Sequence, residues 1–244
     1  MNDLGVKINI DYKQVTLIKN VLPNDLYLSL RQRFASLEGF QTHGKFLWYD
    51  YRNIPPRNVV EEIITYLSSY VDPEGNLEGV EWWMRIRPAD ELKPLHFDKD
   101  EKLFARESKL AFPAMGSVFY FGENGGATLV LDQSADPETR EHRPQVPTHG
   151  AMSSPDHNQY LLFPGNLRHG VLSASDDNIN DDVRMTLLIN WWNKKPLEEN
   201  FPMNWEDIPE DNLFRKTLEY SLWKDEQRGH EPNISLLEFE ELED

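Results

Sequence analysis

The stretch QYLLFPGNLRHGVLSAS (residues 159–175) contains two short apolar runs separated by Pro164-Gly165-Asn166. Short runs rich in aromatic and β-branched residues, bounded by turn-forming residues, predict β-strands. One strand should therefore end at Pro164, and a second should begin near His169. Three more runs of the same kind predict further strands: GVEWWMRIRP (79–88), GSVFYFGENGGATLVLDQ (116–133) and VRMTLLINWW (183–192).

Two segments between these runs are predicted to be irregular. FGENGG (121–126) lies between two strand-forming runs and is typical of a hairpin turn. The segment 132–158 contains four prolines and few large apolar residues, and it is longer than an ordinary connection between strands. It is interpreted either as a lid over a substrate or as an insertion without a function.

The residues before the strand-forming runs show helical periodicity. In LPNDLYLSLRQRFASLEGF (22–40), apolar residues recur at helical spacing, with Asn24 as the expected N-cap and Gly39 near the end. RNVVEEIITYLSSYVDPEG (57–75) predicts a second helix, with one apolar face made of Val60, Ile63, Ile64 and Leu67.

Helices followed by several short strands predict a mainly β fold, a jelly-roll or a sandwich with the N-terminal helices packed on one sheet. We interpret residues 1–244 as a single domain. It divides into an N-terminal support of helices and short strands, including VKINIDY and QVTLIKN, a β core and a C-terminal extension: 1–78, 79–193 and 194–244. The extension should hold a helix at 211–224 and an acidic tail at 235–244.

The composition limits the functions that the chain can have. With 244 residues, of which 39% are hydrophobic, the chain can build a sizeable core. It has no cysteine, so a metal site would have to use histidines and carboxylates. The formal net charge of −17 argues against nucleic acid as a main partner and favours a basic amino acid, peptide or amine as substrate.

The N-terminal sequence and the hydropathy of the chain bear on its location. MNDLGVKINIDYKQVTLIKN has no basic segment followed by an apolar run, which a secretory signal would show. No stretch is apolar over the length of a membrane span. Together with the lack of cysteine, these features lead us to expect a cytoplasmic protein without a membrane partner.

PLHFDKDE (94–101) suggests two ligands for one metal ion. Alternate side chains of an extended segment point to the same side, so His96 and Asp98 could reach a single ion; the alternative is a polar turn. His169 is the candidate third ligand, because a strand begins there at the end of an apolar sheet; alternatively it is a structural histidine. The other histidines lie in polar or Gly/Pro-rich stretches that indicate loops or termini: His43, His142, His149, His157 and His230.

The strand VRMTLLINWW carries an arginine in an apolar setting. Alternation puts Arg184, Thr186 and Leu188 on one face. A guanidinium in an apolar interior is costly unless an anion meets it, and its planar fork matches a carboxylate. The alternatives are an internal Arg–Asp salt bridge or an arginine that faces solvent.

Two histidines and one carboxylate form the facial triad of non-haem Fe(II) oxygenases. The ordered set of H-x-D, a distal histidine and R-x-T resembles the Fe(II)/2-oxoglutarate-dependent dioxygenases, and especially their prolyl-hydroxylase-like branch, over residues 80–192. This resemblance implies a double-stranded β-helix (jelly-roll). It implies iron ligands at His96, Asp98 and His169, and a 2-oxoglutarate site at Arg184, Thr186 and Tyr120.

The resemblance also implies an enzyme, a hydroxylase acting on an amino acid, peptide or small metabolite, with succinate and CO2 as co-products. Halogenases of this family lack the carboxylate ligand that Asp98 provides, and its nucleic-acid demethylases carry an arginine where this chain has Asn190. A cupin is disfavoured because the chain has no H-x-H. The alternative function is a non-catalytic jelly-roll ligand-binding module. The candidate substrate-binding residues are Trp83, Arg85 and Trp192.

Overall fold

A computed structural model of the chain describes residues 13–35, 46–72, 74–174, 183–197 and 230–242. Its helices are α1 (Asn24–Ala35), α2 (Val59–Val71) and α3 (Glu101–Glu107). Its strands are β1 (Val15–Lys19), β2 (Leu47–Tyr49), β3 (Gly79–Pro88), β4 (Lys93–His96), β5 (Met115–Tyr120), β6 (Thr128–Ala135), β7 (His142–Arg143), β8 (His149–Ser153), β9 (Gln159–Pro164), β10 (Leu167–Val171), β11 (Val183–Trp192), β12 (Asn233–Leu237) and β13 (Glu240–Glu241).

Two antiparallel sheets carry these strands. The seven-stranded sheet has the order β12-β1-β9-β5-β11-β3-β2, and the six-stranded sheet has the order β13-β8-β6-β10-β4, with β7 paired to β6. Between β3 and β11 the chain passes repeatedly from one sheet to the other. The core strands β9-β5-β11-β3 of one sheet therefore face β8-β6-β10-β4 of the other. This is the jelly-roll, or double-stranded β-helix, that the sequence predicts.

Apolar side chains fill the space between the sheets and cover the outer face of the larger sheet. The inner cluster joins residues of both sheets, among them Val118, Leu161, Phe163, Val130 and Ala151. A second cluster packs α1 and α2 onto the seven-stranded sheet and includes Leu26, Leu30, Ile63, Ile64, Leu67, Trp82, Phe119 and Leu187. The prediction that the N-terminal helices pack on one sheet is confirmed.

The segment FGENGG (121–126) does not close a hairpin, contrary to the sequence prediction. It carries the chain from β5 in one sheet to β6 in the other. Gly126 is needed for this crossing, because a Cβ there would lie 1.7 Å from the carbonyl oxygen of Leu172. Turn-forming residues indicate that the chain changes direction, but they do not indicate which strand it pairs with next.

The segment 132–158 is not a long loop either. It contains the end of β6 and all of β7 and β8, so it forms part of the six-stranded sheet. β7 is exposed and β8 is partly exposed, so neither has the apolar run by which the other strands were predicted. His142 and His149, which were expected in loops, lie in these two strands.

The C-terminal residues also form strands where an acidic tail was expected. β12 pairs with β1, and β13 pairs with β8, so this stretch extends both sheets. The predicted helix at 211–224, the predicted strand at 6–12 and Gly39 lie outside the described residues. The division of the chain at residues 78 and 193 stays a prediction. Within the described ranges, no helix is both long and apolar enough to cross a membrane.

Two leucines of α1 test the packing of the helices on the sheet. Leu26 is 0% exposed, whereas Leu28 is 50% exposed. Leu26→Ala should lower the free energy of unfolding by about 2–5 kcal/mol, because it leaves a cavity. Leu28→Ala should lower it by about 0.5 kcal/mol or less. Equilibrium unfolding in urea measures both values, and equal losses would contradict this packing.

Candidate functional site

Strand pairing brings three potential metal ligands together. β4 and β10 are antiparallel neighbours, and His96 is the direct partner of His169 across them. Asp98 follows two residues after His96, and its carboxylate contacts both imidazoles. Its Oδ1 atom is 3.5 Å from His96 Nε2, and its Oδ2 atom is 3.6 Å from His169 Nε2. One ligand atom from each of these three residues lies within 4.8 Å of the other two.

Backbone carbonyl groups fix the orientation of both imidazoles. Nδ1 of His96 is 2.9 Å from the carbonyl oxygen of Pro94, and Nδ1 of His169 is 3.0 Å from that of Leu167. A carbonyl oxygen only accepts a hydrogen bond, so in each neutral ring Nδ1 carries the proton and Nε2 presents a lone pair. Both lone pairs are on the nitrogens that face Asp98. This donor set can hold a divalent transition metal and leaves coordination positions open.

The charges of the three groups are coupled. Burial alone would raise the pKa of Asp98, but the charge of His169 and the contacts with both histidines lower it well below its usual range. Burial alone would lower the pKa of His169, but the Asp98 carboxylate outweighs that effect and raises it. Asp98 is therefore ionised, and a metal ion competes with a proton for His169. Metal affinity should fall as the pH drops below the raised pKa of His169.

Asn190 connects this set to the opposite sheet. Its Nδ2 atom donates a hydrogen bond to Asp98 Oδ2 over 3.1 Å. Asn190 lies on β11 and is buried, with 4% exposure. An amide that holds one oxygen of a ligating carboxylate fixes the orientation of that carboxylate. The contact therefore positions Asp98 between the two histidines.

A buried arginine lines the same cavity as these ligands. Arg184 is 9% exposed and Thr186 is 0% exposed. Nη2 of Arg184 donates to Thr128 Oγ1 over 3.1 Å, and its guanidinium carbon lies 5.5 Å from the centre of the Tyr120 ring. Arg184 Nε and the Thr186 hydroxyl have no hydrogen-bond partner. Among the described residues, no carboxylate forms an ion pair with Arg184.

Arg184 has no negatively charged partner among the described residues. Burial lowers the pKa of Arg184, an effect that the neighbouring Tyr120 phenol opposes. Gly125 has a φ of +103° and lies directly against the arginine, since a Cβ at this position would be 2.6 Å from Arg184 Cδ. The glycine turn thus packs on the arginine side chain. An anion in the cavity could satisfy both the guanidinium and the Thr186 hydroxyl.

A cavity of about 280 Å³ connects the histidines with the arginine. Two of the three predicted substrate-binding residues, Trp83 and Arg85, line it. The other lining residues include the three potential metal ligands, the Arg184–Thr186 pair and several apolar side chains: His96, Asp98, His169, Arg184, Thr186, Val118, Val171 and Leu188.

Two predicted site residues do not line this cavity. Tyr120 is fully buried beside Arg184, and its hydroxyl donates to Thr128 Oγ1 over 2.7 Å. Tyr120 therefore supports the arginine through its ring and through Thr128. Trp192 is buried at the end of β11, where it pairs with Gly79, and it is not among the residues around the cavity.

Three residues of the site were not predicted from the sequence. Asn190 stands on an apolar strand at an even spacing from Arg184 and Thr186, so strand alternation alone could have placed it on the same face. No sequence pattern predicts the role of Thr128, because that role depends on the packing of β6 against β11 of the other sheet. Gly125 was assigned to a turn, without its contact to the arginine.

Comparison with known proteins adds a likeness of fold. No protein-family profile matches the chain, and no curated protein matches its sequence. Among solved structures the chain is similar to a prolyl-4-hydroxylase from Pseudomonas putida, with 18% identity and a TM-score of 0.46 over 75% of this chain and 89% of the other. It is similar to HygX from Streptomyces hygroscopicus with iron bound, with 16% identity and a TM-score of 0.45 over 75% and 83%.

EctD from S. alaskensis in its apo form is a further similar structure, with 13% identity and a TM-score of 0.46 over 79% of each chain. At such identities the likeness concerns the fold alone.

The contact between Asn190 and Asp98 can be tested through metal binding. Asn190→Leu keeps the side-chain volume but removes the amide donor, so Mn(II) should bind about 10–100-fold more weakly. Isothermal titration of Mn(II) into the apoprotein measures this, and circular dichroism checks the fold. Asn166→Leu, in the exposed turn before β10, is the control and should bind Mn(II) like the wild type. Equal affinities in all three proteins would show that Asn190 does not position the ligand.

Proposed function

We propose that this protein is an Fe(II)- and 2-oxoglutarate-dependent oxygenase that hydroxylates an amino acid, a peptide or a small metabolite. Succinate and CO2 would be the co-products. The observation that carries the proposal is the presence, in one cavity, of a His-Asp-His donor set and a buried arginine without an acidic partner among the described residues. The donor set suits a ferrous ion, and the arginine suits the far carboxylate of a keto acid.

His96, Asp98 and His169 would hold the iron. Two imidazoles and one carboxylate are a donor set that Fe(II) accepts, and they leave room for further ligands. The hydrogen bonds from both Nδ1 atoms to backbone carbonyls prepare the Nε2 atoms for binding. The amide of Asn190 holds the carboxylate of Asp98 in place.

Arg184 and Thr186 would bind the distal carboxylate of 2-oxoglutarate. The free Nε of the arginine and the free hydroxyl of the threonine supply the hydrogen bonds that such a group needs. Thr128 accepts a hydrogen bond from Nη2 of the guanidinium, and the Tyr120 ring lies beside it. The arginine is therefore oriented before the co-substrate arrives.

The apolar walls separate these two polar ends. Leu188 stands between Arg184 and Asn190 on β11 and pairs with Val118, and both apolar side chains line the cavity, so they would exclude water and direct the co-substrate along the cavity. The chemistry that iron and 2-oxoglutarate would supply at this site is the oxidation of a carbon–hydrogen bond by dioxygen. Trp83, on the β3 side of the cavity, would contact the primary substrate.

Succinate release by the wild type and by an Asp98 variant distinguishes an oxygenase from a non-catalytic binding module. Asp98→Ala should abolish Fe(II)-dependent succinate release from 2-oxoglutarate and weaken Mn(II) binding below detection, because the only carboxylate of the donor set is lost. The far-ultraviolet circular dichroism should stay that of the wild type, since Asp98 lies outside the apolar clusters. Asp90→Ala, an exposed acid before β4, is the control. Succinate release at the wild-type rate in Asp98→Ala would contradict the assignment of Asp98 as a ligand. If the wild-type protein itself releases no succinate, a non-catalytic binding module is favoured.

Arg184 tests the keto-acid site independently of the metal. Arg184→Lys and Arg184→Gln should each weaken 2-oxoglutarate binding by at least about tenfold, because neither reproduces the charged, planar fork. Mn(II) affinity should change by less than about twofold, since the metal ligands remain.

The matched control for Arg184 is Arg168→Gln. Arg168 donates to Gln133 over 3.0 Å and does not line the cavity, yet its replacement makes the same change of charge. Titration of 2-oxoglutarate into the Mn(II)-loaded variants gives the affinities. Unchanged 2-oxoglutarate affinity in both Arg184 variants would show that this arginine has a structural role only.

A further inference from the structure

The cavity extends toward β3, on the side away from Thr128 and Gly125. Alternate residues of β3 face it, and β4, the last strand of the six-stranded sheet, forms the opposite side. Trp83 is held there by an edge-to-face contact with Phe46, with ring centres 4.9 Å apart. This side of the cavity remains for a primary substrate, because the proposed co-substrate occupies the side toward Arg184.

The cations of this part of the cavity differ in their partners. Arg87 forms an ion pair with Glu91 over 3.5 Å, and Lys99 forms one with Glu101 over 2.6 Å. Arg85 lines the cavity, but its guanidinium makes no hydrogen bond or ion pair with any residue in the described part of the chain.

Lys93 stands on β4, across the cavity from Arg85, and its ammonium group likewise makes no hydrogen bond or ion pair with a described residue. Arg85 is half-buried, and its burial, together with the charge of Arg87, lowers its pKa, an effect that the charge of Glu91 opposes only in part. Glu91 forms its ion pair with Arg87, so the partly desolvated guanidinium of Arg85 would gain from direct contact with an anion. The two cations therefore provide positive charge from two sides of the same opening.

Arg85 and Arg184 approach the cavity from different places. In the pairing of β3 with β11, Arg85 is the partner of Thr186, two residues from Arg184. The guanidinium of Arg184 is bound to Thr128 on β6, and Gly125 packs against its side chain. Arg85 contacts neither Thr128 nor Gly125, and it shares its strand face with Trp83. The two guanidiniums are thus suited to two separate anionic groups.

We infer that the primary substrate carries a carboxylate, that Arg85 binds this carboxylate, and that Lys93 adds a second positive charge across the opening. The apolar part of the substrate would lie against Trp83. This inference rests on the proposed function and narrows its substrate class to carboxylic acids. It also reverses the expectation of a basic substrate, which was drawn from the net charge of the whole chain and not from the charges at the cavity.

Matched pairs of acids and amides test the inference. Wild-type protein loaded with Mn(II) and 2-oxoglutarate is titrated with the N-acetyl derivatives of the common amino acids, with benzoate and with hexanoate, and with the primary amide of each. At least one acid should bind, and its amide should bind more weakly by about 10–100-fold, since hydrogen bonds to charged groups contribute that much. No binding by any member of the set, or equal binding of acids and amides, overturns the inference.

Two variants connect the acid preference to Arg85. Arg85→Gln should weaken binding of the preferred acid by about 10–100-fold and leave the amide unchanged. Arg87→Gln makes the same change of charge two residues away on the same strand face, but its guanidinium already has a carboxylate partner, so the acid should weaken by less than about threefold. Equal effects of the two variants would show that only general charge matters and would overturn the assignment.

The outcomes also separate this inference from the proposed function. If Mn(II) and 2-oxoglutarate do not bind the wild-type protein, the proposed function fails. If both bind normally to wild type and to Arg85→Gln while the acid preference is absent, only the inference fails. If Arg85→Gln loses affinity for 2-oxoglutarate and not for the acid, Arg85 belongs to the co-substrate site, and the inference is again overturned.

Discussion

The pairing of β4 with β10 is the constraint on which the whole site depends. It sets His96 directly opposite His169, and a shift of one residue would turn one of the imidazoles to the other face of the sheet. Gly170 allows the close approach, because a Cβ there would lie 2.7 Å from the carbonyl oxygen of Lys93. The carbonyl groups two residues before each histidine then fix the imidazole rings. Backbone geometry, and not a network of long side chains, therefore positions these two donors.

Strand alternation explains which parts of the site could be predicted from the sequence. An arginine and a threonine two residues apart in an extended strand share a face, and both Arg184 and Thr186 line the cavity. The same rule could have added Asn190. Pairing between distant strands has no comparable local signal, which is why FGENGG was assigned to a hairpin and why the short, exposed strands within 132–158 were missed. Local patterns report periodicity and turns, whereas the choice of partner strand is made by the packing of both sheets.

The two sheets hold different parts of the site, and polar contacts join them at both ends of the cavity. The histidines belong to the six-stranded sheet, while Arg184 and Asn190 lie on β11 of the other. The bond from Asn190 to Asp98 connects the sheets at the metal ligands, and the bond from Arg184 to Thr128 connects them at the arginine. Each contact fixes the separation of the sheets at one end of the cavity. Polar groups left without partners between these two contacts are the ones that a ligand can satisfy.

Burial distinguishes the two arginines of the cavity. Arg184 is enclosed by a glycine turn, a threonine and an aromatic ring, so its position is fixed. A fixed arginine suits a co-substrate that is the same in every reaction cycle. Arg85 is half-exposed and has no fixed partner among the described residues, so its side chain can adjust to acids of different size. The net charge of −17 is spread over the whole protein and is screened beyond a Debye length of about 8–10 Å in physiological salt. The charged side chains that line the cavity, which are acids such as Glu81 and Glu91 as well as Arg85 and Lys93, therefore act on a ligand more strongly than the overall charge does.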